Sequence, residues 1–203
     1  LWRDLTSEKS ERHADYMGDP SRLAAYLRYF MPWNVVKLVP LLAGLDMHLA
    51  EGDSVLDIGS GPLTLPVALW IARPELRAVP LRFTCLDRVR RTLEAGQAIL
   101  EGLAMRTGQP LAWTVTLSKD TFATRKTDDA AGTYALVTAA NVFNESFWHA
   151  RGSLSERAEQ LAVTLRGLAA ADGRILVVEP GDPRTPSFVA SHPDPDQRKP
   201  PGA

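Results

Sequence analysis

With 203 residues the chain suits one α/β domain of ordinary size, and 45% hydrophobic residues are enough for a full core. A net charge of −1 lacks the basic excess of many nucleic-acid binders, so contact with RNA would need a local patch such as Arg88, Arg90 and Arg91. A solvated helix start is the plainer account of those three. The lone cysteine, Cys85, excludes an internal disulfide or a cysteine cluster, the histidines lack ligand spacing, and no run of about 20 apolar residues exists. A soluble, cytoplasmic protein with no metal site and no membrane partner is expected. Leu1 in place of Met, with a mixed, charged start, points to a chain that begins inside a longer protein.

In chain order, residues 1–19 are polar with little periodicity, and Asp19-Pro20-Ser21 then predicts a helix start. Leu23, Ala24, Tyr26, Leu27 and Phe30 follow at helical spacing, and Pro32 is expected to end or kink that helix. A second helical pattern covers Trp33 to Leu49, with a break expected at Pro40. Ser54 to Ile58 predicts a buried parallel strand, and Leu63 to Ile71 a helix with Pro66 in its first turn. A second strand is expected at Leu81–Leu86, a helix at Val89–Met105 and a third strand at Leu111–Leu117, with Trp113, Val115 and Leu117 alternating. Residues 118–132 are polar and loop-like. Tyr134–Ala139 is the fourth strand. Ser153-Leu154-Ser155-Glu156 resembles a capping box, with a helix to about Ala171 ended by Asp172-Gly173. Arg174–Val178 is the fifth strand, stopped by Glu179-Pro180-Gly181. Strands and helices alternate five times, which calls for a Rossmann-like α/β sheet, parallel, with helices on both faces. The organisation expected is an N-terminal helical segment at 1–50, a ligand-binding domain at 51–185, and a loose Pro-rich tail at 186–203.

The glycine turn Asp57-Ile58-Gly59-Ser60-Gly61-Pro62 lies between the first strand and its helix, where open α/β sheets bind ligands. Gly59 and Gly61 can take backbone angles closed to other residues and let the main chain approach a ligand. The dinucleotide fingerprint Gly-x-Gly-x-x-Gly fails at Thr64, and no Gly-Lys-Ser or Gly-Lys-Thr is present for a P-loop. Asp57 beside the turn repels a pyrophosphate but suits a cofactor that carries a cationic amine and sulfonium.

Val55-Leu56-Asp57-Ile58-Gly59-Ser60-Gly61 resembles the first motif of class I S-adenosylmethionine-dependent methyltransferases. The resemblance implies that the main chain around Asp57, Gly59, Ser60 and Gly61 lies along the methionine part of S-adenosylmethionine. It implies that Asp87, after the second strand, holds the ribose hydroxyls, for which a carboxylate can accept two hydrogen bonds. A helix N-cap is the other reading of Asp87. It places Asp120, after the third strand, near the adenine. Leu63 departs from the commonest family pattern, which has a third glycine there.

Four stretches are similar to a narrower branch, the small ribosomal subunit methyltransferase-like family of mitochondrial ribosome assembly and its bacterial relatives. They are residues 26–34, 59–66, 140–145 and 178–184. This implies a small-subunit or rRNA partner, with no DNA. The role it implies lies between methyltransferase and non-enzymatic assembly factor; a small-molecule methyltransferase is the further alternative. The family's iron–sulfur or metal centre is not supported by one cysteine, and its last strands are expected to be missing.

The segment after the fourth strand is where a substrate would lie, and it holds the catalytic candidates Asn141 and Glu145. Asn141 is also a candidate cofactor contact, or a turn-forming asparagine. Glu145 is a candidate base or a solvated helix start. Phe143, Phe147 and Trp148 suit stacking on a base or, more commonly, core packing. His149 is a weaker proton-transfer candidate. Ala140-Asn141-Val142-Phe143 does not match the tetrad of adenine N6 methyltransferases, and no cysteine is present here for a cytosine C5 mechanism.

Overall fold

The computed structural model describes residues 16–121, 132–143 and 154–179. Five parallel strands form one sheet: β1 (Ser54–Ile58), β2 (Arg82–Asp87), β3 (Thr114–Lys119), β4 (Tyr134–Ala140) and β5 (Ala169–Val178). Their order is β3-β2-β1-β4-β5. This is the Rossmann-like order in which the connections reverse direction beside β1. The carboxyl ends of β1 and β4 therefore flank the crevice at the switch point.

Helices cover both faces. On one lie α1 (Pro20–Ala25), α2 (Met31–Gly44), α3 (Thr64–Ala72) and α4 (Arg90–Arg106). Leu42, Leu69, Trp70, Leu93 and Leu100 from these helices pack on Val55, Phe83 and Leu136 of the sheet, all fully or almost fully buried. On the other lies α5 (Leu154–Leu168), whose Leu161, Leu165 and Leu168 pack on Leu56, Ile58, Val137 and Ala139. Neighbouring strand residues face opposite sides, so both sets of side chains are apolar, and the strands read as continuous hydrophobic runs.

Asp19 caps α1 by accepting a 2.8 Å bond from the Arg22 N–H, as the Asp19-Pro20 pattern predicts. Pro32 and Pro40 do not stop the chain. A π turn over Tyr26–Phe30 joins α1 to α2, closed by the Met31 N–H on the Tyr26 carbonyl. A proline ring at position 32 would strike the Arg28 carbonyl in a regular α-helix, and widening the preceding turn relieves that clash. Pro40 sits inside α2, which continues to Gly44 because Leu38 and Leu42 hold this face in the core. The helix nevertheless ends before Leu49.

Two further expectations are corrected. The third strand begins at Thr114, not Leu111: Trp113 lies just ahead of it, buried, stacked on Phe83, with its Nε1–H donating to the Leu76 carbonyl. The last helix ends at Leu168, and Asp172-Gly173 lies within β5. Tyr134 pairs with Ala169 but Leu136 pairs with Arg174, so residues 170–173 bulge out of the ladder. A Cβ on Gly173 would meet the Tyr134 carbonyl at 2.5 Å, so the glycine serves close strand approach there. The capping-box serine at 153 lies outside the described residues.

Candidate functional site

The glycine turn leaves β1 with three consecutive demands on its backbone. Gly59 has φ +64° and Gly61 φ +51°, the left-handed region that favours glycine. A Cβ on Gly59 would meet Val142 Cγ1 at 2.9 Å, so this glycine is needed for space as well as for φ. Nothing lies within 4 Å of the Cβ position of Gly61, which is open. The Ser60 N–H donates to the Leu86 carbonyl at 2.9 Å and ties the turn to the end of β2.

Leu63, where the resemblance leads one to expect a third glycine, also adopts the left-handed region, with φ +53°. This costs a leucine about 1–2 kcal/mol. The side chain is 0% exposed, and burying it is worth about 1.5–3 kcal/mol, the same order as that cost. The glycine that allows close packing lies instead on the opposing helix. A Cβ on Gly96 of α4 would fall 2.6 Å from the Leu63 backbone nitrogen and closer still to Pro62.

Two carboxylates flank the turn. Asp57 is 1% exposed. Its Oδ1 accepts a 2.7 Å bond from Thr138 Oγ1, and its Oδ2 has no partner among the described residues. Burial raises its pKa from an ordinary 3.8 to about 6, against the hydroxyls of Ser60 and Thr138, with the Asp87 charge adding to the rise. Asp87 Oδ2 accepts the Gly61 N–H at 3.0 Å and Oδ1 accepts the Val89 N–H at 2.9 Å. Asp87 thus ties the turn to Val89, the residue that precedes α4, and it does not itself line the cleft over the turn. Burial raises its pKa too, opposed by those backbone donors. Cys85 is buried in the sheet, and burial pushes its thiol upward, so it is an inert core residue.

A cleft of about 310 Å³, counting its open mouth, lies over the turn and the end of β4. Asp57, Gly59, Ser60, Gly61 and Asn141 all line it, so five of the predicted residues meet in one place. Asn141 has φ +60° and its N–H donates to the Val178 carbonyl at 2.8 Å, the turn geometry expected of an asparagine there. Asp120 lies at the end of β3, beside Asp87, with its N–H on the Asp87 carbonyl at 3.1 Å. It does not line the cleft. Glu145, Phe147, Trp148 and His149 lie outside the described residues. Phe143 is 2% exposed and packs with Leu161 and Leu165, so it belongs to the core. Arg90 pairs with Glu94 and donates to the Leu117 carbonyl at 3.2 Å, and Arg91 reaches the Gly18 carbonyl at 3.5 Å, so two arginines of the candidate basic patch have partners within the fold.

Four polar residues at the site escaped the sequence. Tyr26 and Asn34, from the helices before the sheet, line the cleft, as does Thr64. Glu179 accepts the Val142 and Phe143 N–H groups on Oε1 at 2.9 and 2.8 Å and holds the segment after β4 in place. Its position directly after an apolar strand, at the same end of the sheet as the glycine turn, was the available signal.

Among the described residues the cleft is lined by neutral side chains, polar ones together with Leu65 and Ala140, and by one carboxylate, with no Lys, Arg or His. It therefore disfavours phosphate groups and suits a ligand with a cationic portion. Among the described residues, no group of three His, Cys, Asp or Glu side chains is placed to hold a metal, and no helix is long and apolar enough to cross a membrane.

No protein-family model and no curated protein matches the chain. Several solved structures are similar to it. The precorrin-6y C5,15-methyltransferase of Geobacter metallireducens GS-15 is 17% identical, with a TM-score of 0.47, over 76% of this chain and 67% of that one. A methyltransferase of Geobacter sulfurreducens, solved with S-adenosylhomocysteine, is 18% identical, with a TM-score of 0.39, over 72% and 47%. A Haloferax volcanii putative methyltransferase, solved with the Trm112 activator, is 18% identical, with a TM-score of 0.40, over 80% and 58%. The chain thus spans about half the length of the last two.

Proposed function

We propose that this chain binds S-adenosylmethionine in the cleft over the glycine turn and serves as a methyltransferase of the small ribosomal subunit, acting on its rRNA. The observation that carries the cofactor reading is the Asp57 carboxylate. It is buried, and among the described residues its Oδ2 has no partner and the cleft it lines has no basic residue. A ligand ammonium satisfies that oxygen and restores the charged form of the acid. The open space at Gly61 admits a ligand against the main chain.

On the resemblance, the remaining parts of the cofactor fall to Asp87 and Asp120, which follow one another along the ends of β2 and β3. Asp87, whose oxygens accept the Gly61 and Val89 N–H groups beside the turn, is assigned to the ribose hydroxyls on the family resemblance, a role for which a carboxylate has the acceptors. Asp120 stands next along the strand ends, where the adenine would follow. When bound, the cofactor supplies an electrophilic methyl group on a sulfonium. The chain's task is to hold the target in line with it and to exclude water. Asn141, held by the Val178 carbonyl next to the Val142 and Phe143 amides that Glu179 anchors, is the residue assigned to orient the target. Glu145 is the candidate proton acceptor.

The ribosomal assignment rests on the resemblance at residues 26–34, 59–66, 140–145 and 178–184. Calorimetry of the full chain with S-adenosylmethionine tests the cofactor reading. Binding that drops at least tenfold in Asp87→Ala is expected; no binding by the wild type sinks it. Tritiated methyl transfer to isolated small subunits tests the substrate. Label in rRNA is expected. Label only in a metabolite points to a small-molecule enzyme, and binding without any label points to an assembly factor.

A further inference from the structure

The cleft draws two polar side chains from helices that precede the sheet, and the helix geometry has been altered to deliver both. Tyr26 opens the π turn and Asn34 lies in the first turns of α2. On a regular α-helix, eight residues leave two side chains about 80° apart around the axis. The π turn takes up one extra residue, which cuts the difference to about 20°. Tyr26 Oη and Asn34 Nδ2 accordingly lie 3.5 Å apart, the limit of a hydrogen bond, and both line the cleft with Asp57. Pro32 provides the steric cause of the widened turn. Tyr29 and Trp33 of the same segment face outward, exposed to 72% and 60%, while Met31 and Leu38 are buried in the core.

We infer that Asn34 and Tyr26 grip the carboxylate of a ligand's α-amino-acid end, the ammonium of which meets Asp57. A tyrosine O–H and an asparagine amide are neutral donors, and two of them can bind a carboxylate without competing with Asp57 for the ammonium. A lysine or arginine in either place would be drawn to Asp57 instead. The inference rests on the cofactor reading above and specifies how the methionine end is held: by the N-terminal helices as well as by the glycine turn. It makes those helices part of the binding site.

The test compares two ligands that differ only in this end. S-adenosylhomocysteine carries the amino-acid group, and 5′-methylthioadenosine lacks it. Titration calorimetry is run on the full chain as wild type, Asn34→Ala, Asn34→Asp and Tyr26→Phe. Asn34→Ala is expected to weaken S-adenosylhomocysteine about tenfold or more and Tyr26→Phe several-fold, with 5′-methylthioadenosine unchanged in both. Asn34→Asp, nearly the same shape, is expected to weaken it further by repelling the carboxylate. Unchanged affinity for S-adenosylhomocysteine in these variants overturns the inference. Equal loss for both ligands also overturns it, since that marks a purely structural role. If the wild type binds neither ligand, the cofactor reading itself fails; if only the variants behave otherwise, that reading stands and this one does not.

Discussion

Thr138 and Asp57 are register partners across the β1–β4 ladder, and the threonine hydroxyl donates to Asp57 Oδ1 at 2.7 Å while Oδ2 of the same carboxylate is buried with no partner among the described residues. One oxygen is thus fixed by the fold and the other is reserved. A carboxylate in this state is a cost to the protein alone and an asset only to a complex.

That cost has a definite pH dependence. The folded-state pKa of Asp57, about 6, stands above its ordinary 3.8. The protonated form is therefore the one that folding tolerates. Its contribution is fully present below pH 3.8 and is lost as pH rises through 6; the whole span corresponds to about 3 kcal/mol. Asp57→Asn keeps an acceptor for Thr138 and removes the charge. Urea unfolding at pH 5 and pH 8 is expected to show the variant gaining on the wild type at pH 8, by about 1–3 kcal/mol. Equal differences at the two pH values would contradict this.

Ligand binding has the opposite dependence. An ammonium beside Oδ2 needs the ionised acid, so below pH 6 each binding event must first release a proton. Affinity for S-adenosylmethionine is expected to fall about tenfold per pH unit there, with proton release visible as a buffer-dependent calorimetric heat. Asp57→Asn is expected to bind weakly and without this slope. A wild-type affinity that stays flat between pH 5 and pH 7 would remove Asp57 from the ligand contacts.

The sheet and the turn were legible because both follow from short-range pattern. Buried parallel strands are apolar runs, and Asp57 through Gly61, Asp87 and Asn141 each sit at the end of one. Tyr26 and Asn34 were not, because their spacing points to different helix faces until a π turn intervenes. Pro32 signalled a disturbance but not its kind. The role of Gly96 depends on the approach of Pro62 and Leu63, far away in sequence, and nothing local marks it. Asp172-Gly173 has the signature of a helix end, and long-range pairing with β4 turned it into a bulge.

Gly96 and Gly102 make a controlled pair within α4. A Cβ on Gly96 would collide with the backbone of Pro62 and Leu63, whereas nothing lies within 4 Å of the Cβ position of Gly102. The same substitution should therefore act with opposite signs. Gly102→Ala is expected to stabilise the protein by about 0.5–1 kcal/mol through helix propensity. Gly96→Ala is expected to destabilise it by about 1–3 kcal/mol and to weaken cofactor binding, because the glycine turn must shift. Denaturant titration of the two variants decides it; two changes of the same sign would refute the close-approach account.

Arg73 decides whether the N-terminal helices stay where Tyr26 and Asn34 are needed. Its Nη1 donates to the Leu42 and Leu45 carbonyls at 3.3 and 2.8 Å, and its Nη2 to the Met47 carbonyl at 2.7 Å. These are carbonyls at and just beyond the end of α2, where a helix has unsatisfied acceptors and a negative dipole end. The guanidinium is largely buried, so losing it leaves those acceptors without a donor. Arg73→Ala is expected to cost about 2 kcal/mol or more. Lysine has no fork to span three carbonyls, so Arg73→Lys should recover only part of the loss. Hydrogen exchange should quicken first in α2, with β1 and β2 still protected at that stage. Uniform quickening across α2 and the sheet would show that Arg73 supports the whole core and not the docking of this helix. If docking is its role, cofactor affinity in Arg73→Ala should fall together with α2 protection, since Asn34 rides on that helix.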